Sequence, residues 1–183
     1  SLSSKAIAAT KTDCLVIGLP EKGTWPDTTT QADEILGGLI KQLEKAGDLT
    51  GKNASVNTIP LVDQPWQRLV VVGTGKDADR TPANFRKALI AMMGALKDGP
   101  SKNALIWLAD TALQGEDAVS NEEARLNLIG RILEDQLYSF TGFKSEKPAA
   151  RKLKKVTVQA SGAGKALKDA FNLGLSTGRG MNY

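Results

Sequence analysis

A three-layer α/β/α domain with a mainly parallel or mixed sheet is the fold the sequence predicts, and three observations predict it. Short, almost wholly apolar runs occur at Asp13–Leu19 (DCLVIGL), Arg68–Gly73 (RLVVVG) and Asn103–Ala109 (NALIWLA), the composition of strands covered on both faces. Longer segments with apolar residues every three or four positions separate these runs. Strands therefore alternate with helices, the pattern of a sheet held between helical layers. Strand order does not follow from the pattern.

The first strand closes at Pro20, and a polar loop with Gly23, Trp25 and Pro26 follows. Thr30, with Asp33 completing a capping box, is expected to open a helix. Its apolar face is Ala32, Ile35, Leu36, Leu39, Ile40 and Leu43, and Gly47 is expected to end it. A weaker strand over Ala54–Ile59 precedes a loop with Pro60, Pro65 and Trp66. After the second apolar run, Thr81-Pro82 is an N-cap followed by proline at the first helical position. That helix carries Phe85, Ala88, Leu89, Met92 and Leu96 and stops at Asp98-Gly99-Pro100. Ser120 or Asn121, with Glu122 and Glu123 in the first turn, is expected to start a third helix. Its face is Leu126, Ile129, Gly130, Leu133 and Leu137. A basic loop then leads to a strand over Leu153–Gln159 and to a last helix from Gly164 to Asn182.

In that last helix Leu167, Phe171 and Leu175 form an apolar stripe, with Ala170, Gly174 and Gly178 as a flat strip beside it. Small residues let a helix approach another backbone, so a packing partner is expected, with packing against a further domain as the candidate role of the strip. No stop signal precedes Tyr183, so the chain reads as one domain of a longer protein. The expected division is residues 1–163 as a domain and 164–183 as a helix linking it onward.

Composition excludes several chemistries. The 183 residues are 41% hydrophobic but only 5% aromatic, so an aliphatic core is expected. Net charge is +4, a basic excess that permits nucleic-acid contact without requiring it. Histidine is absent, which removes the commonest base for a serine or cysteine nucleophile and a principal zinc ligand. Cys14 is the single cysteine, so no disulfide framework exists. Residues 1–12 lack the apolar core of a secretory signal, and no run approaches a membrane span. A cytoplasmic protein with no membrane partner is the expectation.

Four features are candidate sites. Gly73-Thr-Gly75-Lys76 follows a strand, where glycine-rich loops cradle phosphates, but Val70 and Asp77 break the Walker pattern. A tight turn needing glycine backbone angles is the plainer reading. Gly162-Ala-Gly164-Lys165 fails the same test. The basic stretch Lys144, Lys147, Arg151, Lys152, Lys154 and Lys155 suits a phosphate backbone, or a solvated loop entering a guarded edge strand. Trp25 and Trp66 lie in expected loops, suiting an interface or burial under neighbouring loops.

Three segments in order resemble the N-terminal domain of the cytosolic leucyl aminopeptidase family, bacterial aminopeptidase A type. They are Arg68-Leu-Val-Val-Val-Gly-Thr-Gly-Lys76 with Phe85-Arg86-Lys87-Ala88; Tyr138-Ser-Phe140 with Phe143-Lys144-Ser145 and Leu153-Lys-Lys-Val-Thr157; and Gly174–Asn182, like the family's linker helix. Thr74 departs from the usual apolar residue of the turn. The resemblance implies a macro-domain-like α/β unit that is non-catalytic and serves assembly or regulation. It implies a parent metallo-exopeptidase, usually hexameric, that removes N-terminal residues from peptides. The two divalent metals, zinc or manganese, would sit in a C-terminal catalytic domain of the same chain. No catalytic or metal residue, and no cofactor, is expected in these 183 residues, because the family's N-T-D-A-E-G-R signature is absent. The rival expectations are a DNA-binding module, which some bacterial members imply, and a stand-alone nucleotide binder of macro-domain type.

Overall fold

The structure is a computed structural model that describes residues 1–7, 10–114, 118–138, 152–162 and 164–180. A six-stranded mixed sheet runs through the middle, in the order β1-β6-β5-β2-β4-β3. Its strands are β1 (Leu2–Ser3), β2 (Cys14–Pro20), β3 (Val56–Pro60), β4 (Arg68–Gly75), β5 (Asn103–Trp107) and β6 (Lys155–Gln159). All neighbours are parallel except β3, which pairs antiparallel with β4 along one edge. An edge position explains why β3 is polar and ends in proline, since its outer side owes no ladder hydrogen bond.

The alternation of side chains along the strands builds two cores. Val16, Val70, Val72 and Ile106 point to one face, under α3 (Pro82–Asp98), α4 (Ala118–Tyr138) and α5 (Lys165–Gly180). Leu15, Ile17, Leu19, Val71 and Leu105 point to the other, under α1 (Asp27–Ile35) and α2 (Leu39–Ala46). The three-layer α/β/α expectation therefore holds. Trp66, 2% exposed, belongs to the second core, and Trp25, partly buried, packs against it.

The first helical segment differs from its expectation. Thr30 is not an N-cap: the helix is already running at Asp27, and Thr30 N–H donates to the Pro26 carbonyl at 3.1 Å. Nor is it one helix. Gly37 and Gly38, with φ of 68° and 85°, break it into α1 and α2, a conformation glycine adopts without a Cβ penalty. Asp33 serves the break instead of a capping box. Its buried carboxylate accepts from Ile40 N and Lys41 N at 2.8 and 3.2 Å, capping α2 from the preceding helix. The end at Gly47 and the Thr81 cap, which accepts from Asn84 N at 3.2 Å, are as expected. Helix α4 is likewise already running at Ala118, so Ser120 and Asn121 lie inside it. Glu122 does not stay a free first-turn charge: it accepts from Ser161 N and Oγ at 2.8 and 2.5 Å, tying α4 to the end of β6.

Candidate functional site

The glycine turn is built by close backbone approach. A Cβ on Gly73 would strike the Lys52 carbonyl and the Ser55 hydroxyl, because the 51–55 turn lies across it. Gly75 has a φ of 78°. The N–H groups of Gly73 and Gly75 donate to Ser55 O and Gly51 O at 2.8 and 2.9 Å. Both donors are spent inside the protein, and Lys76 stands exposed beside them. Gly73 and Gly75 lie at the end of β4 rather than in a turn that follows it, and the strand ends against the 51–55 segment.

Of the basic stretch, Lys144, Lys147 and Arg151 lie outside the described residues. Lys152, Lys154 and Lys155 are all exposed while Leu153 is buried at 5%. Strict alternation along a strand over Leu153–Gln159 would place Lys155 on the face of Leu153. The structure does not, because β6 begins only at Lys155 and the residues before it are not strand. Lys154 N and Lys155 N both donate to the carbonyl of Lys102, itself exposed, which gathers four lysines at the start of β6.

The small-residue strip meets α4. A Cβ on Gly174 would strike the Asn127 carbonyl, and one on Gly178 would lie 2.7 Å from the Arg131 carbonyl. From the other side, a Cβ on Gly130 would lie 2.6 Å from the Phe171 carbonyl. Asn127 Nδ2 donates to Ala170 O at 3.2 Å, and Phe171 is 3% exposed. The partner of Ala170, Gly174 and Gly178 is thus a helix of the same domain.

One crevice among the described residues is lined by none of the candidate site residues that the sequence offers. This crevice, of about 420 Å³, opens at the carboxyl ends of β1, β5 and β6 and the head of α1. Asp110, just past β5, accepts from Thr28 Oγ at 2.7 Å across 82 residues of chain. The carboxyl is pushed up from its ordinary range because the crevice walls displace water around it. The Thr28 hydroxyl and N–H and the Arg125 charge pull the other way. Arg125, 5% exposed, stands behind the wall and donates from Nε to the Ala109 carbonyl. Gln159 at the end of β6 is 3% exposed, and its amide nitrogen donates to Lys5 O. The usable signal is position alone: each ends or follows a strand or opens a helix. No spacing links residues 28, 110 and 159.

Among the described residues, no group of three or more His, Cys, Asp or Glu side chains is placed to hold a metal ion. Among the same residues, no helix is long and apolar enough to cross a membrane.

Residues 16–147 match the model of the cytosol aminopeptidase family, N-terminal domain. The cytosol aminopeptidase of Pseudomonas aeruginosa is 32% identical over 157 residues, covering 85% of this chain and 31% of the relative. The chain spans about a third of the length of the curated relatives it matches. A tomato leucine aminopeptidase mutant superposes on 99% of the chain and 36% of its own, with TM-score 0.71 and 19% identity. The macro domain of ganglioside induced differentiation associated protein 2 superposes on 94% of the chain and 82% of its own, with TM-score 0.68 and 13% identity. At these identities the likeness of the two structures is one of fold.

Proposed function

From the premise that this chain belongs to the cytosol aminopeptidase family, as its N-terminal domain, we propose that it is the non-catalytic assembly and regulatory domain of a leucyl aminopeptidase. The parent removes N-terminal amino acids from peptides, works in the cytoplasm and assembles as a hexamer. Its two divalent metals, zinc or manganese, sit in a C-terminal catalytic domain of the same chain. The observation that carries this reading is one continuous family match, residues 16–147, within a chain about a third as long as its relatives. The metals do not fit the residues here: two-metal hydrolysis needs several ligands holding ions roughly 3.5–4 Å apart, and the described residues offer no such set. No catalytic step is therefore assigned to this domain.

The test is leucine-p-nitroanilide turnover with manganese present. The 183-residue chain should show none that co-elutes with it on gel filtration, whereas the full-length protein should turn the substrate over. Turnover that tracks the short chain would sink the proposal.

A second reading, DNA contact by the assembled parent, is favoured by one observation. Lys102, Lys152, Lys154 and Lys155 are exposed together at the start of β6. Phosphate binding by lysines is blind to sequence, and each lost contact lowers the log–log salt slope by about 0.9. A Lys152→Ala, Lys154→Ala variant of the full-length protein should lose up to two such increments. An unchanged affinity and slope would leave these lysines as solvated surface. The macro-type nucleotide reading gains nothing from the glycine turn, whose Gly73 and Gly75 donors are already spent.

A further inference from the structure

The crevice at the carboxyl ends of β5 and β6 has no part in the role proposed above. We propose that it binds a small molecule carrying a protonated amino group on a short apolar body. Its place comes first. Neighbouring strands β2 and β5 send the chain to opposite faces of the sheet, to α1 on one and α4 on the other. Ligands of open α/β sheets bind outside the carboxyl ends of strands at such a switch point. Its volume, about 420 Å³, lies within the range of small-molecule sites, near the low end.

The chemistry of the wall selects the ligand. Gln159 is 3% exposed, and with its amide nitrogen committed to Lys5 O its amide oxygen has no hydrogen-bond partner. Buried acceptors are almost always paired, so this one calls for a donor from outside the chain. Two carboxylates, Asp27 and Asp110, line the crevice with one lysine, Lys5, and the Arg125 guanidinium stands behind the wall, its Nε turned to the Ala109 carbonyl. Asp110 already caps the head of α1 through Thr28, so the helix end that would attract an anion is occupied by the protein's own negative charge. An ammonium group supplies three donors and a positive charge together. Trp107, Ala109 and Ala160 provide the apolar wall for the rest of the molecule.

The experiment is a titration of the 15N-labelled 183-residue chain with leucinamide, N-acetylleucinamide, inorganic phosphate and ADP-ribose. Leucinamide should shift the Gln159 side-chain amide and the Trp107 indole saturably, and the acetylated compound, phosphate and ADP-ribose should not. Gln159→Leu should weaken leucinamide binding by about tenfold, the worth of a hydrogen bond to a charged donor. Asp27 is exposed, so Asp27→Asn retains the fold and should weaken binding and reduce its salt dependence. An absent response to leucinamide, an equal response to the acetylated compound, or saturable binding of phosphate or ADP-ribose in the crevice would overturn the proposal. So would an unchanged affinity in Asp27→Asn, the decisive variant if Gln159→Leu does not fold.

Discussion

Cys14 shows how far a single residue's chemistry is set by its strand. It is 1% exposed at the start of β2, between Arg68 of β4 and Ala104 of β5, and faces the α3–α4–α5 core. Burial pushes its thiol up to about 11, against weaker pulls from Ser101 and Arg68. The thiolate is the nucleophile, so the native thiol should resist iodoacetamide at pH 8 and react once urea unfolds the chain. The sign for stability follows from proton binding. The folded state holds this proton more tightly than the unfolded state, so the contribution to stability falls as pH rises from about 9 towards 11. A Cys14→Ala variant should lose that particular decline in urea melts run across this window. Rapid native labelling would contradict the burial account. Here the apolar run around Cys14 made the outcome readable in advance. Asp33 was not readable: its spacing after Thr30 suggests a capping box, yet its partners are Ile40 and Lys41. The Gly37-Gly38 break decides that, because it creates a second helix start at Leu39, six residues away.

The α4–α5 pair carries the clearest prediction at the scale of elements. Gly174 is needed because the Asn127 carbonyl occupies the place of its Cβ. Gly174→Ala should lower stability by about 1–3 kcal/mol, the usual cost of overpacking, although alanine is the better helix former by roughly 1 kcal/mol. Gly94, in the middle of α3, has nothing within 4 Å of its Cβ position. Gly94→Ala should therefore raise stability by about 0.5–1 kcal/mol. Thermal melts of the two variants test the contrast, and a stabilising Gly174→Ala would show the helices less tightly seated than described. The sequence displayed the strip Ala170, Gly174 and Gly178 but not its partner. A small-residue strip announces close approach, and only the fold says to what.

At the scale of the molecule, α5 completes the layer over one face of the sheet. Phe171 and Leu153 meet in the same core as α3 and α4. Ending the chain at residue 163 would expose that core, and losing one buried phenylalanine alone costs about 3–5 kcal/mol. Circular dichroism melts of residues 1–163 should show a large drop in Tm or no cooperative transition. A melt equal to that of the full 183 residues would make α5 a separable appendage.

By itself the sequence determined the α/β class, the five longer strands, the apolar faces of the helices and the family, but neither the short β1 nor the split of the first helix into α1 and α2. What it determined rests on local periodicity and on contiguous motifs such as RLVVVGTGK, which the linear order of residues preserves. Tertiary structure alone decided the strand order, the cap that Asp110 lends to Thr28, and the crevice where residues 5, 27, 110 and 159 converge. The physical reason is the parallel sheet. Its crossovers gather strand ends from distant parts of the chain at one edge, and no local pattern records which ends will meet.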